Sequence, residues 1–155
     1  MKRLALSLLL TLCLLGCSAS EDIHAVCGDL SFTLPEGYID LSTESYAADA
    51  DFLYGREKLI ILGLAEKKTA LPGCTLETYT ELVLEGNGLI CTPEEINGSY
   101  RFAYEASAGD SVFTYVTGVY EGTDTFWIIQ CYCPKGSLYP YQQEILTLLD
   151  SVQIQ

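Results

Sequence analysis

Histidine is almost missing from this chain: 155 residues hold a single one, His24, beside one tryptophan and one methionine. That count excludes a zinc centre built from several imidazoles. A Ser-His-Asp or Cys-His pair needs a base held rigidly in a pocket, and His24 sits where the chain leaves its N-terminal segment. Basic residues are scarce too. Eight Lys+Arg face 21 Asp+Glu, giving a formal charge of −13. Such a surface repels nucleic acid and anionic lipid headgroups. There is no glycine-rich phosphate loop and no Walker or Rossmann spacing, and Asp49-Ala50-Asp51 lacks the rest of a calcium-loop pattern, so it reads as a solvated loop. No cofactor, metal or nucleic-acid partner is expected. Internal repeats, low-complexity tracts and Pro- or Ser-rich linkers are also absent.

What is present begins at the N-terminus. Lys2 and Arg3 precede a twelve-residue, almost wholly apolar stretch, Leu4 to Leu15. This is the length of a signal-peptide core, short of the roughly 20 apolar residues that a membrane span requires. Leu14-Leu15-Gly16-Cys17 resembles the bacterial lipobox, which implies diacylglyceryl attachment at Cys17 and cleavage before it. Residues 1–16 are therefore expected to be a lipoprotein signal peptide, 17–23 a lipidated tether, and 24–155 a single domain. One acyl chain anchors only marginally, so two chains on one sulfur are expected to hold the protein on the extracytoplasmic side of a membrane. Cleavage would remove Lys2 and Arg3, leaving six basic and 21 acidic side chains and a charge of −15. The lipid, not electrostatics, must then provide the membrane contact.

Seven cysteines become five once Cys13 and Cys17 are set aside: Cys27, Cys74, Cys91, Cys131 and Cys133. Export permits disulfides, but an odd number leaves at least one thiol unpaired. Bridges and buried free thiols both fit the pattern.

Turn residues and hydrophobic periodicity divide the rest of the chain. Strands are predicted at Ile23 to Cys27 and Leu30 to Leu34 around a Gly28-Asp29 turn, followed by a polar loop from Tyr38 to Ala50. Asp51 to Tyr54 and Lys58 to Ala65 read as strands flanking Gly55-Arg56-Glu57. A helix is predicted from about Thr75 to Glu85, with Leu76, Tyr79, Leu82 and Val83 on one side. Strands follow at Leu89 to Ile96, Ser99 to Ser107, Ser111 to Tyr120 and Asp124 to Cys133, with Asn97-Gly98 the strongest turn signal. Tyr139 to Leu149 reads as a closing helix with Ile145, Leu148 and Leu149 inward. Consecutive hairpins make an antiparallel sheet of about six or seven strands, and the two helices must cover its apolar surface. The class is α+β.

Two groups of side chains carry the candidate chemistry. Cys131 and Cys133 lie two apart on a strand and share its face with Trp127 and Ile129; a direct bridge between them would be strained. They read as packed core or as a thiol-redox pair. Tyr100, Phe102 and Tyr104 share one strand face and Phe113 and Tyr115 the next. This pattern fits packing beneath a helix, or an open aromatic surface for a small ligand, glycan or protein with Tyr100, Tyr104 and Tyr115 as its contacts.

The stretches "LSFTLPEGYIDLS" and "GTDTFWIIQCYCPKGSLYPYQQEILTLLDSVQIQ" resemble the PsbP/Mog1-like fold group. The shared cues are a strand ending in Leu-Pro-x-Gly-aromatic, a late strand bearing Phe126-Trp127, and a terminal helix running into Asp150-Ser151-Val152. The resemblance implies an antiparallel sheet flanked by helices, used by members as non-enzymatic binding or assembly factors, many of them small lipoproteins. It brings no catalytic motif. The expectation is a membrane-anchored, non-enzymatic lipoprotein that binds or helps assemble a protein partner in the cell envelope.

Overall fold

The structure, a computed structural model, describes residues 21–44, 47 and 49–155. The segment expected to be a signal peptide and the expected lipid site Cys17 lie outside them. Among the described residues, ten strands and two α-helices are arranged as β1 (Ile23–Cys27), β2 (Leu30–Leu34), β3 (Ile39–Asp40), β4 (Phe52–Arg56), β5 (Leu59–Lys67), α1 (Leu76–Gly86), β6 (Glu94–Ile96), β7 (Ser99–Ala108), β8 (Ser111–Glu121), β9 (Thr125–Pro134), α2 (Gln142–Ser151) and β10 (Gln153–Ile154). The fold is α+β, as the turn and periodicity pattern requires.

Pairing divides the strands between two sheets. A seven-stranded sheet has the order β3-β4-β5-β9-β8-β7-β6, and a three-stranded sheet the order β1-β2-β10. Every described pairing is antiparallel. Two-residue turns set several registers. Asn97-Gly98 links the paired Ile96 and Ser99 with φ of 52° and 77°, the left-handed pair that a tight hairpin needs. The β4–β5 turn falls at Glu57-Lys58, two residues beyond Gly55. Gly63 meets a different demand. A Cβ there would lie 2.0 Å from the Phe52 ring, so the site must stay bare for that ring to pack.

Alternation along each strand creates two faces. The inner face carries Leu59, Ile61, Tyr120, Trp127, Ile129, Cys131 and Cys133, all buried against the small sheet's Leu30, Phe32 and Leu34 and α2's Ile145, Leu148 and Leu149. Full burial of one such aliphatic or aromatic side chain contributes about 1.5–3 kcal/mol. The outer face carries Phe102, Val119, Phe126 and Ile128, which pack under Leu76, Tyr79 and Leu84 of α1. The layers are therefore α1, the large sheet, then the small sheet with α2.

Local chemistry explains the elements and the departures from the sequence reading. Thr75 caps α1 by accepting the Thr78 amide at 3.2 Å. Leu82 faces solvent and Thr80 is buried in its place, so the apolar stripe of α1 is rotated from the predicted one. The strand predicted from Leu89 shrinks to Glu94–Ile96, because Pro93 removes an amide donor immediately before it. The short strands β3 and β10 carry no periodicity of their own and exist through their partners: Ile39 pairs with Gly55, and Gln153 with Ser31.

Candidate functional site

The tyrosines of the outer face form the most distinctive arrangement on the molecule. Register places Ile60, Tyr132, Tyr115 and Tyr104 side by side across β5, β9, β8 and β7. The rings of Tyr104 and Tyr115 are parallel within 2° at 4.8 Å, and those of Tyr115 and Tyr132 stack at 5.0 Å. Phe113 meets Tyr132 edge-on at 6.0 Å. Helix α1 covers the neighbouring end of the same face, so this row stays only half-buried.

Geometry decides what the row can offer. Parallel rings less than 5 Å apart are face-stacked, since coplanar rings could not approach so closely. The facing ring surfaces are consumed by the stack, so ring edges and hydroxyls, with the outward faces at its two ends, are what remain for contact. A sugar lying flat needs an uncovered ring face. Edges and hydroxyls suit the mixed apolar and hydrogen-bonding chemistry of a protein surface. Gln130 donates to the Tyr104 hydroxyl at 3.0 Å from the adjacent row. Burial and the neighbouring Tyr115 raise the pKa of Tyr104, and burial raises that of Tyr115. Both phenols therefore stay neutral at physiological pH and can donate as well as accept.

The sequence grouped Tyr100 with Tyr104 and Tyr115. Tyr104 and Tyr115 do meet, but Tyr100 lies two rows away, opposite Val119 and packed beside α1. Tyr132 takes the third place. Its signal was available in Cys131-Tyr132-Cys133: if the cysteines point inward, the residue between them points outward. Only the pairing of β8 with β9 places it beside Tyr115.

The thiols are distributed differently. All five described cysteines are free, so the paired-bridge reading is not realised. Cys131 and Cys133 are wholly buried on the inner face, and burial pushes both thiols up, Cys131 the more strongly. A redox pair needs an accessible, low-pKa thiolate, so this environment opposes that chemistry. Cys27, Cys74 and Cys91 are partly buried at separate places, and burial raises the pKa of Cys27 and Cys91. His24 is an exposed residue of β1. Asp51 accepts the Ala65 amide at 2.7 Å, so this loop carboxylate has a structural use. Among the described residues, no three His, Cys, Asp or Glu side chains gather in a metal-binding geometry.

A second polar cluster joins α2 to the β4–β5 hairpin. Glu144 accepts from the Tyr38 hydroxyl and pairs with Arg56, whose guanidinium lies 5.0 Å from the Tyr38 ring centre. One turn earlier, the Tyr141 hydroxyl donates to Glu57 at 2.9 Å. These contacts hold the last helix in place, each partner being used by another residue of the cluster.

No protein-family model matches the chain, and no curated protein matches it. Solved structures do. Cyanobacterial PsbP (CyanoP) from Synechocystis sp. PCC 6803 superposes with a TM-score of 0.62 at 12% identity, over 90% of this chain and 96% of that one. The Ran-binding protein Mog1p of Saccharomyces cerevisiae gives 0.54 at 14% identity, over 86% and 94%. A Bacteroides thetaiotaomicron VPI-5482 protein gives 0.59 at 10% identity, with 88% of this chain spanning 48% of that one. At such identities the likeness is one of fold, and the fold is PsbP/Mog1-like.

Proposed function

We propose that this protein is a non-catalytic binding module, held on the extracytoplasmic face of a membrane by lipid on Cys17, that engages an envelope protein through the outer-face tyrosine row. The observation that carries the reading is the half-buried stack of Tyr104, Tyr115 and Tyr132 beside the α1-covered end of the sheet. A contiguous aromatic surface of this kind is what protein interfaces favour at their centres.

Placement of the tether supports it. Residues 18–21 separate Cys17 from Asp22, and five residue steps reach at most about 18 Å. The chain then enters β1 in the small sheet, on the far side of the large sheet from α1 and the tyrosines. A lipid at Cys17 would thus leave the tyrosine face free. The likeness to a Ran-binding protein agrees with a binding role without specifying the partner.

A photo-crosslinking amino acid at position 115, compared with the same group at exposed Glu36, tests the reading in intact envelopes. A discrete higher-mass adduct from position 115 and none from 36 is expected. Indistinguishable products from the two positions reject it.

A further inference from the structure

The outer face also carries an uncompensated charge. Tyr100 of β7 lies opposite Glu95 of β6. Its pKa is raised by desolvation and then by Glu77, Glu95 and Glu81, so carboxylates from two elements surround one phenol. Glu77, Glu81 and Glu85 recur every fourth residue along α1 as an exposed stripe. Like charges at that spacing destabilise a helix, and Glu85 also opposes the dipole at its C-terminal end. The four ion pairs among the described residues use Glu144, Glu121, Asp150 and Glu105, leaving Glu77, Glu81 and Glu95 without a cation.

Two independent features adjoin this rim. Ile90, in the loop between α1 and β6, is entirely exposed at 103%. The next residue, Cys91, lies close enough to Tyr104 to raise its pKa. Beneath the surface, Thr117 sits between Phe102 and Gln130, one row from the tyrosines. Its hydroxyl is sealed from solvent beside that of Tyr104, yet closes no hydrogen bond of normal geometry. A small shift of Tyr104 as a partner settles on the row is what could bring its hydroxyl into full hydrogen-bond geometry with this buried group.

We infer that the outer face docks a positively charged segment of another protein, whose apolar side chains rest on Ile90 and the tyrosine row while its Lys or Arg groups meet Glu77, Glu81 and Glu95. The inference rests on the row being a binding surface and adds the sign of the partner's charge. Opposite charge at the rim relieves the repulsion within the glutamates and steers the encounter.

A display library of random 12-residue peptides, selected on the purified full-length protein in detergent, tests it. Enriched peptides are expected to carry more positive charge than the library average. Their binding should fall about tenfold for Glu77→Gln/Glu81→Gln/Glu95→Gln and weaken with salt, but stay within about twofold for the remote control Glu36→Gln/Glu44→Gln/Asp49→Asn. Tyr115→Ala should abolish it and Tyr115→Phe, which keeps the stack, should not. Equal weakening by the two charge variants overturns the inference as nonspecific attraction. Neutral or acidic peptides that still require Tyr115 overturn the charge while leaving the row as a binding surface. Peptides indifferent to both Tyr115→Ala and Tyr104→Ala overturn the row as well.

Discussion

Asp29 illustrates how one side chain in a turn joins distant parts of the chain. Its carboxylate accepts from Trp127 Nε1 at 2.8 Å and from the Thr123 amide at 2.6 Å, tying the β1–β2 hairpin to the large sheet. Burial works to raise its pKa, but the hydrogen bonds from Trp127 and Thr123 outweigh it, and the net shift is downward. A depressed folded-state pKa contributes stability that is present above the ordinary aspartate value, about 3.9, and is lost as pH falls through the lower folded value. Titration of the lone Trp127 by fluorescence should therefore show an acid midpoint below about 3.9, absent in Asp29→Asn. The cysteines yield a second expectation at this scale. Mass mapping after native alkylation should find Cys131 and Cys133 unmodified while Cys27, Cys74 and Cys91 react, and denaturant should expose all five. Rapid native labelling of Cys131 would restore the redox reading.

Among the elements, α2 shows how a helix without a side-chain N-cap is secured by its surroundings. The last four carbonyls of any helix lack internal partners. Here Leu149's is taken by the buried Tyr120 hydroxyl at 2.9 Å, and Leu148's by Ser151 at 2.7 Å. The Ser151 oxygen in turn accepts the Thr33 amide at 3.0 Å, linking helix end to small sheet. Tyr120→Phe should lower stability by about 1–3 kcal/mol, because a buried acceptor loses its donor, and urea unfolding at constant m-value would measure it. The inward side of α2 was readable, since Ile145, Leu148 and Leu149 are all buried. Its Tyr120 cap was not, because no local signal connects residues 29 positions apart.

At the level of the whole molecule, the two sheets behave as one packing problem. Phe32 of the small sheet and Phe52 of the large one lie 4.9 Å apart, within one inner core that also holds Trp127 and α2. Neither sheet has a separate apolar layer on that side, so cooperative unfolding is expected, with Trp127 fluorescence and far-UV circular dichroism giving coincident transitions. Attachment is tested at the same scale. Metabolic labelling with a palmitate analogue should mark the wild-type chain and leave Cys17→Ala dark; equal labelling of the two would remove the anchor and the membrane placement together.

Sequence alone determined what depends on neighbours along the chain. The Asn97-Gly98 turn, the parity that sends Cys131 and Cys133 to one face, the two helices and the lipobox resemblance all follow from residues a few positions apart. Tertiary structure decided what depends on register and cover. It separated β1 and β2 into their own sheet, created β3 and β10 through partners, and exchanged Tyr100 for Tyr132 in the tyrosine row. The physical reason is that period-two alternation assigns a side chain to a face, whereas its neighbours across that face depend on how distant strands align. Whether a helix then covers them depends on where α1 comes to rest.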